Sequence, residues 1–354
     1  MALRSSQATQ RHVGRRECFG RWSNTHRAIR RYPNRYRSAG IAATTRIGFL
    51  LAAEGGTNIQ GVSCDMTLAA HKEAILLAGI VLLVGCRSQK PEGTSVFHFD
   101  ESAVSEATPW TSVDFNDSSE NFRFAVIGDR TGGADHRGIF DRAMDQLNLL
   151  QPDFVINVGD LVEGYSQDPT KLAAQWDQVD HMLSKLEMPF FRTVGNHDLS
   201  NDTMVGVWRT RHGPTYYHFV YRDALFLVLN SEDPPRAAPA DIEERIELYN
   251  SLQAEDPERA KEMLDGFMET VASYLGKPAN FSDEQVAYVE KTLAKHPEVR
   301  WTFVFLHEPA WKNPSENFLA IESLLQDRSY TFVAGHLHYY DIHERFGRDY
   351  ITMG

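Results

Sequence analysis

Thiols, basic charge and long apolar runs are each scarce or misplaced in this chain of 354 residues. Its three cysteines, Cys18, Cys64 and Cys86, all precede the part with globular patterning and show neither metal-ligand nor disulfide spacing, so disulfides do not support the fold. The formal net charge is −12. Residues 1–65 carry eleven Arg against Glu17, Glu54 and Asp65, a net of +8, which leaves −20 for the remainder. So acidic a body lacks the basic footprint of a protein that grips nucleic acid along its backbone. There is no internal repeat, and the apolar run 74–85 is too short to span a bilayer.

That run has the ingredients of an export signal. Residues 66–73 are a short polar start, 74–85 an apolar core, and Leu83-Val84-Gly85-Cys86 leads into the polar Arg87-Ser88-Gln89-Lys90-Pro91. The segment resembles the lipobox of bacterial lipoproteins. That resemblance implies lipid modification at Cys86 after removal of 66–85, and a protein of the cell envelope, anchored to a membrane by lipid and facing the periplasm or exterior. The Arg-rich stretch 1–65 has no helical or strand periodicity. A start codon assigned too early accounts for it, with a targeting peptide or a basic partner-binding tail as alternatives. Residues 86–121 read as a tether with a first strand or cap.

From 122 onward short apolar runs alternate with helical stretches, the pattern of an α/β domain. Strands are expected at 122–127, 153–158, 189–194, 216–221, 224–229, 301–306 and 330–334. Helices are expected at 137–150, 170–187, 241–274, 282–296 and 315–327. A charged helical insert over about 241–296 is expected to act as a lid or rim. Nearly every strand is followed by a polar residue able to hold a metal: Asp129, Asp160, Asn196 with His197 and Asp198, His307, and His336 with His338. Strand ends form the ligand crevice of open α/β sheets. Oxygen and imidazole donors without thiolate suit Mn, Fe or Zn.

Asp129, then GDLVEG, GNHD, His307 and GHLH in this order resemble the five-block signature of calcineurin-like metallophosphoesterases, over about 122–354. The resemblance implies a four-layer α/β/β/α sandwich of two mixed sheets. It also implies two divalent or trivalent metal ions, and hydrolysis of a phosphomonoester or phosphodiester by attack of a hydroxide between them. Asp160 would bridge the ions, Asp129 and His338 would serve one, and Asn196, His307 and His336 the other. His197 would act beside the scissile phosphate, with Asn196 also near the substrate and Asp198 holding the His197 ring. The first block departs from the family's Asp-x-His, because Thr131 stands where the His belongs. Purple acid phosphatases also lack that His and use a tyrosine three residues after the bridging Asp. Here that position is Glu163, which either completes the site or leaves it to water. Arg130 is a candidate phosphate contact, or else an outward structural residue.

His136 and Arg137 are weaker candidates near the first block, while His212, His218 and His343 receive no role and Trp176 is expected to pack inward. A non-catalytic or mononuclear phosphate-ligand-binding member of the fold is the rival to the hydrolase. The text stops at Gly354, after a strand-like 349–353, where family members continue.

Overall fold

The computed structural model describes residues 96–104, 106–115, 121–131, 135 and 138–353. The segment 1–65, the signal-like 66–85, Cys86, His136 and Arg137 lie outside them. Among the described residues no helix is long and apolar enough to cross a membrane.

The uninterrupted apolar runs become strands buried on both faces, as covered parallel sheets require. Three of them, β2 (Phe124–Ile127), β3 (Phe154–Asn157) and β4 (Phe190–Phe191), pair in parallel as a small sheet. Trp110 adds an antiparallel bridge at its edge through Phe191. The second sheet has seven strands: β1 (Phe97–Phe99), β5 (Tyr217–Tyr221), β6 (Ala224–Val228), β7 (Trp301–Phe305), β8 (Tyr330–Ala334), β9 (Asp341–Arg345) and β10 (Arg348–Thr352). In space it runs β1-β5-β6-β7-β8-β10-β9. It is mixed: β6, β7, β8 and β10 are parallel neighbours, while β1, β5 and β9 pair antiparallel at the two flanks.

Phe124, Phe154 and Phe191 from the small sheet meet Phe219, Phe226 and Phe305 from the large one in a single apolar layer. Phe191 and Phe219 stack at 4.1 Å between centroids. Each such ring, fully buried, contributes about 1.5–3 kcal/mol relative to exposure. The outer face of the small sheet is covered by α1 (Ile139–Leu150), α2 (Pro169–Leu183) and α3 (Asp202–His212). Helix α1 buries Phe140, Ala143, Met144 and Leu147, the i, i+3, i+4, i+7 stripe of an amphipathic helix. Helix α2 starts where Asp168 caps the Thr170 N–H and Pro169 takes the first position. The outer face of the large sheet is covered by α6 (Asp283–Lys295) and α7 (Glu316–Leu325), each capped by a serine, Ser282 and Ser315. The layers are therefore α/β/β/α, as expected.

The stretch 241–296 divides in two. Helix α6 belongs to the outer layer, with Val289 and Leu293 in its core, whereas α4 (Ile242–Glu255) and α5 (Pro257–Leu275) pack against each other beside the sandwich. Lys171 on α2 ties α4 down through Glu243, at 2.6 Å, and Glu247. Helix α3 and strand β9 were not among the expected elements, and Trp176 is buried against Trp208 and His212.

Candidate metal centre

Both sheets deliver polar residues to one place, because the loops leaving β2, β3, β4, β7 and β8 all open on the same end of the sandwich. Asp129 follows β2, Asp160 follows β3, Asn196 and His197 follow β4, His307 follows β7, and His336 and His338 follow β8. The backbone is strained there: Asp160, His336 and His338 have φ of 57°, 70° and 51°, left-handed values that non-glycine residues seldom adopt. Two glycines make the approach close enough. A Cβ on Gly335 would overlap Asp129 Oδ1, and one on Gly195 would overlap Asp160 Oδ1.

Asp129, Asp160 and His307 offer atoms within 4.8 Å of one another. His307 Nε2 lies 3.1 Å from Asp160 Oδ2 and 2.9 Å from Asn196 Oδ1, and His336 Nδ1 lies 2.9 Å from the same Asn196 oxygen. Alongside, His338 Nε2 is 3.3 Å from Asp129 Oδ2. Two atoms bound to one ion at about 2.1 Å are themselves roughly 3 Å apart, so the spacing is that of ligands sharing a cation. Supporting contacts aim the donors. His307 Nδ1 donates to the Val158 carbonyl at 2.8 Å, which fixes the tautomer and leaves Nε2 toward the site. The Asn196 amide nitrogen donates to the Tyr165 hydroxyl at 2.6 Å, which turns Oδ1 inward. Asp129 Oδ1 and Glu163 Oε2 are buried without a hydrogen-bond partner.

Charge is concentrated accordingly. Burial works against ionisation of Asp160, but the positive charge of His307 and then His197 outweighs it and holds the carboxyl well below its usual range. Burial likewise disfavours protonated His307, yet Asp160 and Asp129 carry its pKa up to about 10. His336 is pushed down to about 3 by burial and by His307, whereas its hydrogen bond to Asp129 raises His338. Carboxylates that hold a proton on a buried imidazole this firmly favour any cation that can take the same place.

One expected role needs correction. Asp198 does not hold the His197 ring. Its carboxylate accepts the backbone N–H groups of Asp160, Leu161, Val162 and Gly195 at 2.8–3.2 Å, which shapes the loop carrying Asp160. The His197 ring instead donates from Nδ1 to the Glu163 carbonyl at 2.8 Å. Of the two readings of Arg130, its contacts fit the structural one. Its guanidinium binds Asp135 at 3.1 Å and the Leu161 carbonyl at 2.9 Å, and it lies outside the cavity wall. Thr131 is fully buried.

A cavity of about 500 Å³ opens from this centre, and Asp160, Glu163, Tyr165, Asn196, His197 and His336 line its inner end. Sequence reasoning missed Tyr165, whose ring also sits edge-on to His197 at 4.7 Å. It missed as well a buried cluster in which Arg236 pairs with Glu308 and, at 3.5 Å, with Glu232. Burial first, opposed by Arg236, pushes Glu232 up to about 7. Glu308 adjoins His307 and could have been suspected on that ground; nothing in the sequence marks Arg236.

No curated protein matches the chain. Among solved structures it is similar to a dimetal phosphatase from Danio rerio, with 16% identity and a TM-score of 0.43 over 61% of this chain and 76% of that one. It is also similar to a phosphopantetheinyl hydrolase from Mycobacterium tuberculosis, with 12% identity and a TM-score of 0.26 over 57% and 81%. Neither likeness is close enough to bear on function. A family model does match, across residues 122–340, more than half of the chain, with Asp129, Asp160, Asn196, His307, His336 and His338 all inside it. The chain belongs to the calcineurin-like phosphoesterases.

Proposed function

We propose that the protein hydrolyses a phosphomonoester or phosphodiester with two metal ions held at the convergence of the strand ends. The observation that carries this reading is the set of 2.9–3.3 Å separations that join Asn196 Oδ1 to His307 Nε2 and His336 Nδ1, His307 Nε2 to Asp160 Oδ2, and Asp129 Oδ2 to His338 Nε2, with Asp129, Asp160 and His307 offering atoms within 4.8 Å of one another. Asn196, His307 and His336 would hold one ion, Asp129 and His338 the other, with Asp160 between them. Glu163, half-buried with its Oε2 inaccessible and unpartnered, is the residue we assign to make up for the histidine replaced by Thr131. Cations in these positions would supply Lewis-acid activation of water and neutralise charge on the phosphoryl oxygens. His197 works from the protein side. Its Nδ1 hydrogen is committed to the Glu163 carbonyl, so Nε2 is the atom that delivers a proton to the leaving oxygen.

The test is metal content and turnover of wild type and Asp160→Asn, using p-nitrophenyl phosphate and bis-p-nitrophenyl phosphate. Two ions per chain are expected in the wild type, with loss of metal and a fall in kcat of about 10³ or more in the variant. Activity within about threefold of wild type in Asp160→Asn would reject the dinuclear reading. The same proposal has the hydrolase outside the cytoplasm, anchored through Cys86; its support is the succession of polar start, apolar core and Leu83-Val84-Gly85-Cys86.

A further inference from the structure

The cavity continues beyond the metal centre to a wall of different character, made by Ile242, Ile246 and Tyr249 of α4 and Met263 and Leu264 of α5. Leu252 and Ala260 are buried where the two helices meet, whereas Ile246, Tyr249, Met263 and Leu264 stay half-exposed along the cavity. We infer that the substrate is a small phosphate ester whose alcohol portion is apolar, an alkyl or arylalkyl group lying under the α4–α5 pair. The inference rests on the hydrolase reading only for the direction in which the ester lies.

Volume, wall chemistry and charge support it. A space of about 500 Å³ is far more than a phosphoryl group fills and falls within the range of roughly 300–1,000 Å³ typical of small-molecule sites. Ile242, Ile246, Met263 and Leu264 offer no conventional hydrogen-bonding group, and the Tyr249 hydroxyl already accepts from Gln253. A sugar or nucleoside in that position would surrender hydrogen bonds to water and receive few in return, whereas each methylene gains by leaving water. Of the three cations in the lining, Arg245 is bound to Asp241 at 2.7 Å and Lys312 to Asp341 at 2.8 Å, while Lys277 is exposed at the rim. Tethering of α4 to α2 through Lys171 holds the apolar wall over the centre.

n-Alkyl phosphates of two to eight carbons provide the test, since their leaving oxygens are chemically equivalent and only the apolar length changes. Metal-loaded protein is expected to show kcat/KM rising roughly threefold per added methylene up to about six carbons. Ile246→Asn/Leu264→Asn should lower hexyl phosphate turnover at least tenfold more than that of ethyl phosphate. Binding of the matching alkylphosphonates, followed by calorimetry, gives a readout independent of turnover. If no ester is hydrolysed but hexylphosphonate binds at least tenfold more tightly than ethylphosphonate, the hydrolase reading fails and the apolar-alcohol site stands. Turnover of monomeric hexyl phosphate alone identifies a soluble substrate, and added turnover of phosphatidate in vesicles a lipid one; both uphold the class. Flat dependence on chain length in turnover and in binding, or a preference for adenosine monophosphate over hexyl phosphate, overturns it.

Discussion

His197 and Asp198 are neighbours in the chain that look outward and inward. The histidine lines the cavity and the aspartate gathers four backbone N–H groups behind it. Replacing His197 by Ala is therefore expected to lower kcat by roughly 10²–10⁴ for esters with poor leaving groups, at unchanged metal content by elemental analysis. Metal loss in that variant would make His197 a ligand instead. The donors themselves were legible because each follows an apolar run and a tight turn. Asp198 was misread because three of its four partners are backbone N–H groups at 160–162, more than thirty positions away, and no side-chain pattern reveals where a distant backbone will lie. His212 is a residue of another kind, packed against Trp176 and Trp208 with Nε2 unpartnered. Burial, and then Arg192 and Arg211, pull its pKa down to about 2, so the fold keeps it neutral. An unfolded chain takes up that proton near pH 6.5. Stability is therefore whole above pH 6.5 and declines as pH falls toward 2, by about 3 kcal/mol at pH 4.5 from this residue. His212→Phe should reduce the drop in Tm between pH 7 and pH 4.5 by several degrees, and an undiminished drop would count against this account.

Elements were legible in proportion to how fully they are buried. The runs of β2, β3, β6, β7 and β8 are apolar but for Asn157, Thr302 and Thr331, because both faces are largely covered. Strand β9 reads as polar because it is the sheet's edge, largely exposed. Helix α3 hid because its buried stripe is Met204, Trp208 and His212, one residue per turn, with a histidine among them. Its start was marked all along by Asn201, whose side chain accepts the Met204 N–H at 3.0 Å. The edge hairpin β9–β10 is fastened to α7 by the buried Glu322, which accepts from Arg345 Nε and Nη2 at 2.9 and 2.8 Å and from the Tyr350 hydroxyl at 2.7 Å. Removing it leaves the half-buried Arg345 guanidinium without its partner. Glu322→Ala is expected to cost about 3 kcal/mol in urea denaturation, and Glu322→Gln less. A loss below about 1 kcal/mol would mean that the apolar contacts of Tyr350 hold the hairpin unaided.

For the molecule as a whole, the basic residues 1–65 contrast in charge with the acidic remainder. If the proposed anchor holds, protein expressed from Met66 in a bacterial host sediments with membranes, and Cys86→Ser is either released or left unprocessed. Several acyl chains at about 0.8 kcal/mol per buried methylene retain a protein where one does not. Soluble wild-type protein in the periplasm would remove the anchor from the account. The convergence of donors has one more consequence. Asp129, Asp160 and Asn196 hang from the small sheet, and His307, His336 and His338 from the large one, so neither sheet alone carries the full proposed ligand set. If these residues hold the proposed ions, tight metal uptake would wait until the aromatic layer between the sheets has closed, because an open chain presents no such constellation. In stopped-flow refolding a metallochromic dye should therefore lag behind the recovery of secondary structure, and the ion serves as a clock for the last act of assembly.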